Sequence, residues 1–257
     1  MNSKRIRILG VPVDMVDSKE AMKIFRGLME TPGCSQIVTP NSEIIINASK
    51  DAHLKELISN AALIIPDGIG LVYASKILGY PLSERVTGID FLEKIMAYLA
   101  ETGQSIFFLG SKPASEEMDS VAAMAAAKIV KKYPKLKVVG THHGYFKECD
   151  EADLVKMINE SGADFLCVAL GSPKQEEFVA KHLDTLKVKA SIGVGGSLDV
   201  WAGTLKRAPE FYQKHGLEWL YRFIQEPTRY KRMIALPVFM VKVLGSKLKY
   251  KEEVKHD

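Results

Sequence analysis

The stretch Ala62-Leu-Ile-Ile-Pro-Asp-Gly-Ile-Gly70 places an apolar segment of strand length directly before a carboxylate and a glycine turn. This form predicts a buried β-strand that ends near Pro66 and a helix over residues 68–78 that is stopped by Gly79 and Pro81. In open parallel α/β sheets, ligands bind outside the carboxyl ends of the strands. Asp67 is therefore predicted to lie where a sheet edge carries chemistry. The alternative is that Asp67 only caps the following helix.

A second segment of the same form, Gln36-Ile-Val-Thr-Pro-Asn41, ends an apolar strand in polar side chains just before a helix. The two segments together predict that Thr39, Asn41 and Asp67 converge on one pocket. Asn41 has the same alternative role as Asp67, which is helix capping.

Apolar runs of strand length alternate with helical patterns along most of the chain. The alternation predicts an α/β fold with a mainly parallel Rossmann-like sheet core, flanking helices and a helical C-terminal appendage. The individual predictions include one strand over residues 5–13, a long helix over 115–132 and a loop-like segment over 197–203. We expect an α/β catalytic core over residues 1–197 and a basic, aromatic-rich, membrane-docking appendage over residues 198–257.

Composition is that of a globular protein, with 257 residues, 47% of them hydrophobic. No apolar run approaches the roughly 18 residues of a membrane-spanning helix, and the start Met-Asn-Ser-Lys-Arg-Ile-Arg lacks the apolar core of a signal peptide. Three cysteines without a CxxC pair suit a reducing compartment and argue against a zinc ribbon. These features predict a cytoplasmic protein.

Positive charge is concentrated at the C-terminus. Residues 205–257 contain twelve Lys and Arg against six Asp and Glu, a net charge of +6, whereas the whole chain carries +4. Aromatic residues are interleaved with Arg222, Arg229 and Arg232, which is more typical of a phosphate-binding and interfacial surface than of a solvated helix. The apolar run Met233–Val241, interrupted by Pro237, is too short to span a bilayer but long enough to lie in its interface.

Motifs for common cofactors are incomplete or absent. The segment Gly68-Ile-Gly-Leu-Val-Tyr73 fails as a dinucleotide fingerprint, because Tyr73 stands where a small residue is needed. The chain contains no Asp-x-Asp, and His142-His143 matches no spacing typical of a metal site. We therefore expect neither a cofactor nor a metal.

Two further segments carry candidate ligand-binding residues. Leu170-Gly-Ser-Pro-Lys-Gln-Glu-Glu177 predicts a strand that runs into a helix whose first turn holds Gln175 near the strand ends. Arg85 lies in a polar connection after a proline, where an arginine is either a surface charge or a diphosphate clamp. The alternative for the first segment is a surface turn with solvated charges.

The chain resembles the WecG/TagA/CpsF-type glycosyltransferases of bacterial surface-polymer synthesis. The resemblance rests on segments that follow one another in the same order over nearly the whole chain: Thr39-Pro-Asn41, Pro66-Asp-Gly68, Arg85-Val-Thr-Gly88, Gly144-Tyr-Phe146, Leu170-Gly-Ser-Pro-Lys-Gln175, Gly193-Val-Gly-Gly-Ser-Leu-Asp199, Arg207-Ala-Pro209 and Gly216-Leu-Glu-Trp-Leu-Tyr-Arg222. The members that synthesise the linkage unit of wall teichoic acid are the most similar.

The resemblance implies an inverting transfer of N-acetylmannosamine from UDP-ManNAc to the GlcNAc of undecaprenyl-diphosphate-linked GlcNAc, without a required metal. Asp67 is implied to be the general base. The residues implied near the donor sugar are Thr39, Asn41 and Gln175, and Arg85 is implied near the diphosphate.

The same resemblance implies that Tyr145 and Asp199 lie near the nucleoside. It also implies that Arg222, Arg229 and Arg232 contact phosphate and help the protein to dock on the membrane. The expected partners are the UDP-sugar donor, the lipid-linked acceptor and an anionic membrane surface on the inner face of the cell membrane, without nucleic acid. Homo-oligomerisation is left open.

Other functions remain as alternatives at this stage. A related transferase would use another UDP sugar, such as UDP-ManNAc uronate, for a different surface polysaccharide. A nucleotide-dependent oxidoreductase would explain the alternating core but needs a better glycine fingerprint. A non-enzymatic nucleic-acid or membrane adaptor would explain the basic C-terminus but not the polar residues at several strand ends.

Overall fold

The computed structural model describes residues 3–116, 118–225, 227 and 230–253, without the side chains of 230–233 and 248–253. The strands are β1 (Arg5–Ile8), β2 (Val11–Asp14), β3 (Ser35–Val38), β4 (Leu63–Ile64), β5 (Ser105–Gly110), β6 (Lys137–His142), β7 (Phe165–Ala169) and β8 (Ala190–Gly193). The helices are α1 (Ser18–Glu30), α2 (Ser42–Ala48), α3 (Ala52–Asn60), α4 (Ile69–Leu78), α5 (Gly88–Thr102), α6 (Val121–Lys132), α7 (Glu151–Glu160), α8 (Lys174–Lys181), α9 (Ser197–Ala202), α10 (Glu210–Lys214), α11 (Glu218–Gln225) and α12 (Tyr230–Glu253).

Six strands form one parallel sheet in the order β4-β3-β8-β7-β5-β6. Side chains alternate between its two faces, as the pleat requires. In β5, Ile106 and Phe108 pack in the cluster with α1, α5, α6 and α9, whereas Phe107 and Leu109 pack in the cluster with α7 and α8. Helices therefore cover both faces, and the predicted α/β class is confirmed.

The first strand prediction was wrong, because residues 5–13 form a hairpin rather than one strand. Leu9 and Gly10 both have positive φ, at 51° and 81°, which suits a two-residue turn between antiparallel strands. Buried Asp14 ties this hairpin to the main sheet, since its carboxylate accepts from Arg5 Nε at 2.9 Å and from the Ile64 amide at 2.7 Å.

Two other local predictions were wrong. The predicted helix over 115–132 begins only at Val121, because Ser115 and Met118 pair with each other in a turn and Ser120 caps the helix. The predicted loop over 197–203 is helix α9, whose Leu198 is buried against α6 in the core. Gly203 ends α9 in the left-handed conformation at φ 76°.

The C-terminal helices pack directly on the core. Phe239 and Val243 of α12 are fully buried among residues of α2, α3 and α4, and α12 lies against α2 and α4. Within the part of the chain that the structure describes, no helix is long and apolar enough to cross a bilayer.

Replacing Phe239 with Ala should lower the free energy of unfolding by about 3 kcal/mol or more, because it leaves a cavity between α12 and the core. The matched control is Val241→Ala on the same helix, where the side chain is 69% exposed and the expected change is within about 0.5 kcal/mol. Urea unfolding followed by circular dichroism measures both variants. Equal stability of the two would contradict the packing of α12.

Candidate active site

The loops after β3 and β4 lie side by side at the carboxyl edge of the sheet. The amide of Asp67 donates to the carbonyl of Pro40 at 3.1 Å, and a Cβ on Gly68 would lie 4.0 Å from Asn41. Gly68, with φ 92°, is the N-cap residue of α4, and no side chain caps this helix. The capping alternative is therefore wrong for Asp67. Its carboxyl group lies at the carboxyl edge of the sheet and does not cap α4.

Asn41 does cap a helix. Its Oδ1 accepts from the amides of Glu43 and Ile44 at 3.0 and 3.1 Å, at the start of α2. The capping alternative is therefore correct for this residue. Because capping occupies the oxygen of the carboxamide, the Nδ2 group is the part of Asn41 that remains for a ligand.

Thr39 and Gln175 meet at the end of β8. Thr39 Oγ1 donates to the carbonyl of Gly193 at 2.7 Å, and Gln175 Oε1 accepts from the amide of Gly195 at 3.1 Å. A Cβ on Gly193 would lie only 2.6 Å from Gln175 Nε2, so the close approach requires glycine. The structure thus joins segments that follow β3, β7 and β8.

The buried carboxylate of Glu176, next to Gln175 in the chain, was not predicted from the sequence. Glu176 is 2% exposed, and its Oε1 accepts from Gln175 Nε2 at 2.9 Å. Burial raises the pKa of this carboxyl, and the side chains of Gln175 and Ser172 oppose that shift. The sequence Gln-Glu-Glu resembles a solvated helix start, so no local signal marks Glu176 as buried.

Charges from two segments act on Asp67, namely the connection before α5 and helix α11. Burial raises the pKa of Asp67 to about 6, the guanidinium of Arg222 opposes this shift, and the carboxylate of Glu218 reinforces it. The amide of Gly88 and the guanidinium of Arg85 lower the pKa further. Asp67 is therefore a carboxylate that can exchange a proton near neutral pH, which suits a general base.

Arg85 and Glu218 form an ion pair between the core and α11. Arg85 Nη2 lies 3.2 Å from Glu218 Oε1, and their side chains are 18% and 20% exposed. Glu218 was not among the predicted site residues, because it belongs to a helix separated from Arg85 by 133 residues.

The predicted nucleoside residues lie at the other half of the same sheet edge. Asp199 of α9 accepts from Ser111 Oγ at 3.0 Å, and Ser111 follows β5 with a positive φ of 60°. The carbonyl of Ser111 accepts a hydrogen bond from the amide of Gly144 at 2.8 Å. This bond places Tyr145, the next residue of the chain, near Ser111. The Tyr145 side chain is 67% exposed, which leaves its ring free to meet a ligand.

Of the three predicted arginines of the C-terminal helices, the structure describes the side chain of Arg222 alone. Arg222 is exposed on α11 and acts electrostatically on Asp67. Arg229 lies outside the described residues, and so does the side chain of Arg232. Their predicted roles stay predictions.

The described residues form no metal centre at this edge, and one sizeable cavity of the fold lies away from it. In residues 3–116, 118–225, 227 and 230–253, no group of three or more His, Cys, Asp and Glu side chains is arranged to hold a metal ion. A cavity of about 1070 Å³ lies between α1 and α5 and reaches Ala61 and Ala62, which precede β4. It therefore opens at the amino end of β4, opposite Asp67, and we assign it no part in the site.

Comparison with known proteins identifies the family. The model of the glycosyl transferase WecG/TagA/CpsF family matches residues 6–253. A protein of Staphylococcus aureus (strain MRSA252), named N-acetylglucosaminyldiphosphoundecaprenol N-acetyl-beta-D-mannosaminyltransferase, is 36% identical over 254 residues, covering 98% of this chain and 96% of its own. A protein of Bacillus spizizenii with the same name is 33% identical over 237 residues, covering 90% and 88%. With these matches over nearly its whole length, this chain belongs to the WecG/TagA/CpsF family of glycosyltransferases.

Proposed function

We propose that this protein is an inverting transferase that moves N-acetylmannosamine from UDP-ManNAc to the GlcNAc of undecaprenyl-diphosphate-linked GlcNAc, in the synthesis of the wall teichoic acid linkage unit. The names of the relatives in Staphylococcus aureus and Bacillus spizizenii support the substrates. The observation that carries the proposal is the Asp67 carboxyl at the sheet edge, on which Arg222 and Arg85 act electrostatically and whose pKa burial raises to about 6.

The chemistry requires a base and a stabilised leaving group. A sugar hydroxyl is a poor nucleophile until a positioned carboxylate takes its proton, which typically contributes ~10²- to 10⁴-fold in rate. Asp67 takes the proton of the acceptor hydroxyl while that oxygen attacks the anomeric carbon and the bond to UDP breaks. One base on the acceptor side suits direct displacement with inversion. Arg85 and Arg222 neutralise the charge that develops on the departing diphosphate.

The remaining polar groups suit the two ends of the donor. The Thr39 hydroxyl donates a hydrogen bond to the carbonyl of Gly193, so its oxygen is left to accept one from a sugar hydroxyl, whereas Asn41 Nδ2 is left to donate. Gln175 retains the second hydrogen of Nε2 for the sugar. At the other end, we assign the Asp199 carboxylate to hydrogen bonds with the nucleoside and the exposed ring of Tyr145 to stacking on the base.

The C-terminal helices provide the membrane surface in this proposal. Among the described side chains of these helices, the large apolar ones that remain exposed are Phe211, Trp219, Ile224, Ile234, Val238, Val241 and Leu244. Apolar residues on an amphipathic helix bind in the headgroup region, and each basic residue near anionic lipid contributes roughly 1 kcal/mol. We therefore propose a peripheral location on the inner face of the cell membrane, where the lipid-linked acceptor is within reach.

A radiolabel transfer assay tests the function directly. Purified protein is incubated with UDP-ManNAc, or with UDP-ManNAc uronate, UDP-GlcNAc or UDP-glucose, and with lipid-linked GlcNAc diphosphate. We expect transfer from UDP-ManNAc with inversion at the anomeric carbon, determined by NMR of the product. Preferential transfer from UDP-ManNAc uronate would favour the related-transferase alternative, and retention would contradict direct displacement.

Asp67→Asn should lower kcat by at least ~10²-fold, because it keeps the shape of the side chain and removes the base. At pH 7 the variant should be as stable as the wild type or more stable, since it relieves the cost of holding a charge whose pKa is raised on folding. Steady-state kinetics and urea unfolding measure the two effects. The matched control is Asp184→Asn, an exposed residue beyond α8, which should keep full activity.

The activity of the wild type should fall on the acid side of pH 6. Asp67 accepts a proton only in its charged form, so kcat/KM should drop about tenfold per pH unit below the pKa of about 6 and stay level above it. The measurement is the pH profile of kcat/KM, with each sample returned to neutral pH to show that the loss is reversible. A flat profile through pH 6 would exclude Asp67 as the titrating base.

Exposed apolar side chains of α12 should bind membranes. The double variant Val241→Ser with Leu244→Ser should weaken salt-sensitive binding to vesicles with anionic phospholipid by about tenfold or more, because it removes apolar surface from the interface. Its control is Met157→Ser, at an exposed apolar site on α7. Point variants are preferred to deletion of residues 198–257, which would also remove buried Leu198. Unchanged vesicle binding would contradict the docking role.

A further inference from the structure

Glu218 is a charged residue of the site that the proposed mechanism does not use. Its carboxylate lies 3.2 Å from Arg85 Nη2, and both side chains are largely sheltered from water. No other hydrogen bond of the Arg85 side chain is found within the described part of the chain, so its remaining N–H groups are available to a ligand. One nitrogen of the guanidinium thus holds Glu218, and the same guanidinium acts electrostatically on Asp67.

Helix α11 is fixed at both ends, so Glu218 has a defined position. Gly216, with φ 69°, precedes the helix, and a Cβ there would lie 2.8 Å from the side chain of Ile69, two residues after Asp67. At the other end, Gln225 donates to the carbonyl of Lys206 at 3.1 Å and accepts from its amide at 3.3 Å. The start of α11 is therefore held against the start of α4.

The charges that act on Asp67 come from two elements. Arg85 comes from the connection between α4 and α5, whereas Glu218 and Arg222 come from α11. Together with Asp67 they form two carboxylates and two guanidiniums, a balanced set before any diphosphate binds. Without Glu218, nothing among the described ion pairs would hold the long and rotatable Arg85 side chain in this place.

We propose that Glu218 is a positioning residue that holds the Arg85 guanidinium beside Asp67, so that packing of α11 on the core also assembles the diphosphate site. The inference rests on the proposed function, since it takes the ligand of Arg85 to be the diphosphate of a nucleotide sugar. In a simpler role, the ion pair would only fasten α11 to the core. The two roles differ in what they predict for UDP binding and for the pH profile of kcat/KM.

The test compares Glu218→Gln with Glu210→Gln in the full-length protein. Glu210 lies in α10 and pairs with Lys214 at the surface, so its variant makes the same chemical change away from the site. We expect Glu218→Gln to weaken UDP binding in calorimetry and to raise the donor KM about tenfold, with a smaller change in kcat. Glu210→Gln should match the wild type in both measurements.

A double-mutant cycle shows whether Glu218 acts through Arg85. If it does, Arg85→Gln with Glu218→Gln should bind UDP no more weakly than Arg85→Gln alone. Glu218→Asp keeps the charge on a shorter side chain and should recover part of the lost affinity, which separates positioning from failure to fold. The pH profile gives an independent readout: loss of the Glu218 charge should move the acid limb of kcat/KM to lower pH, because that charge raises the pKa of Asp67.

The outcomes separate this inference from the proposed function. If the wild type binds no UDP and transfers no sugar, the proposed function fails and the inference falls with it. If the wild type is active but Glu218→Gln binds UDP like Glu210→Gln, only the inference is overturned. Additive losses in the double variant would likewise overturn it, because they would show that Glu218 acts independently of Arg85.

Discussion

The parallel pairing of β3 with β4 and β8 is the constraint on which the site depends. It places the ends of three strands at one edge of the sheet. There the Asp67 amide donates a hydrogen bond to the Pro40 carbonyl, and the Thr39 hydroxyl donates one to the Gly193 carbonyl. A shift of one residue in either pairing would turn the polar side chains of these loops toward a different face. The same pairing buries Ile37 and Val38 on opposite faces of the sheet, so core packing and site geometry are fixed together.

Asp67 shows how the site balances two opposing electrostatic effects. Burial favours the neutral acid, whereas Arg222, Arg85 and the amide of Gly88 favour the carboxylate. Full compensation would give a stable carboxylate too weakly basic to take a proton, and no compensation would leave a neutral acid at pH 7. The pKa of about 6 lies between these limits, where a base is both charged and effective at physiological pH.

Local sequence patterns predicted much of the fold and part of the site. The strand before Asp67, the helix stop at Gly79 and the alternation of strands and helices follow from short-range rules of burial and backbone conformation. The hairpin at Leu9 and Gly10 was not predicted, because its turn lacks the Asn-Gly pair that usually marks such a turn. Glu176 and Glu218 were not predicted as site residues for another reason. The burial of Glu176 and the pairing of Glu218 with Arg85 arise only when distant parts of the chain come together in the fold.

In our proposal the C-terminal helices contribute to the active site as well as to membrane binding. Phe239 and Val243 fill a pocket in the core cluster beside α4, while Gly216 sets the start of α11 against Ile69 of the same helix. Both contacts act on the helix that begins one residue after Gly68, and therefore on the loop that carries Asp67. In our proposal the opposite surface of these helices meets lipid. A movement of α11 or α12 at the bilayer would then reach Asp67 through α4, and through the charges of Glu218 and Arg222, so that membrane contact and the state of the base are coupled by direct packing.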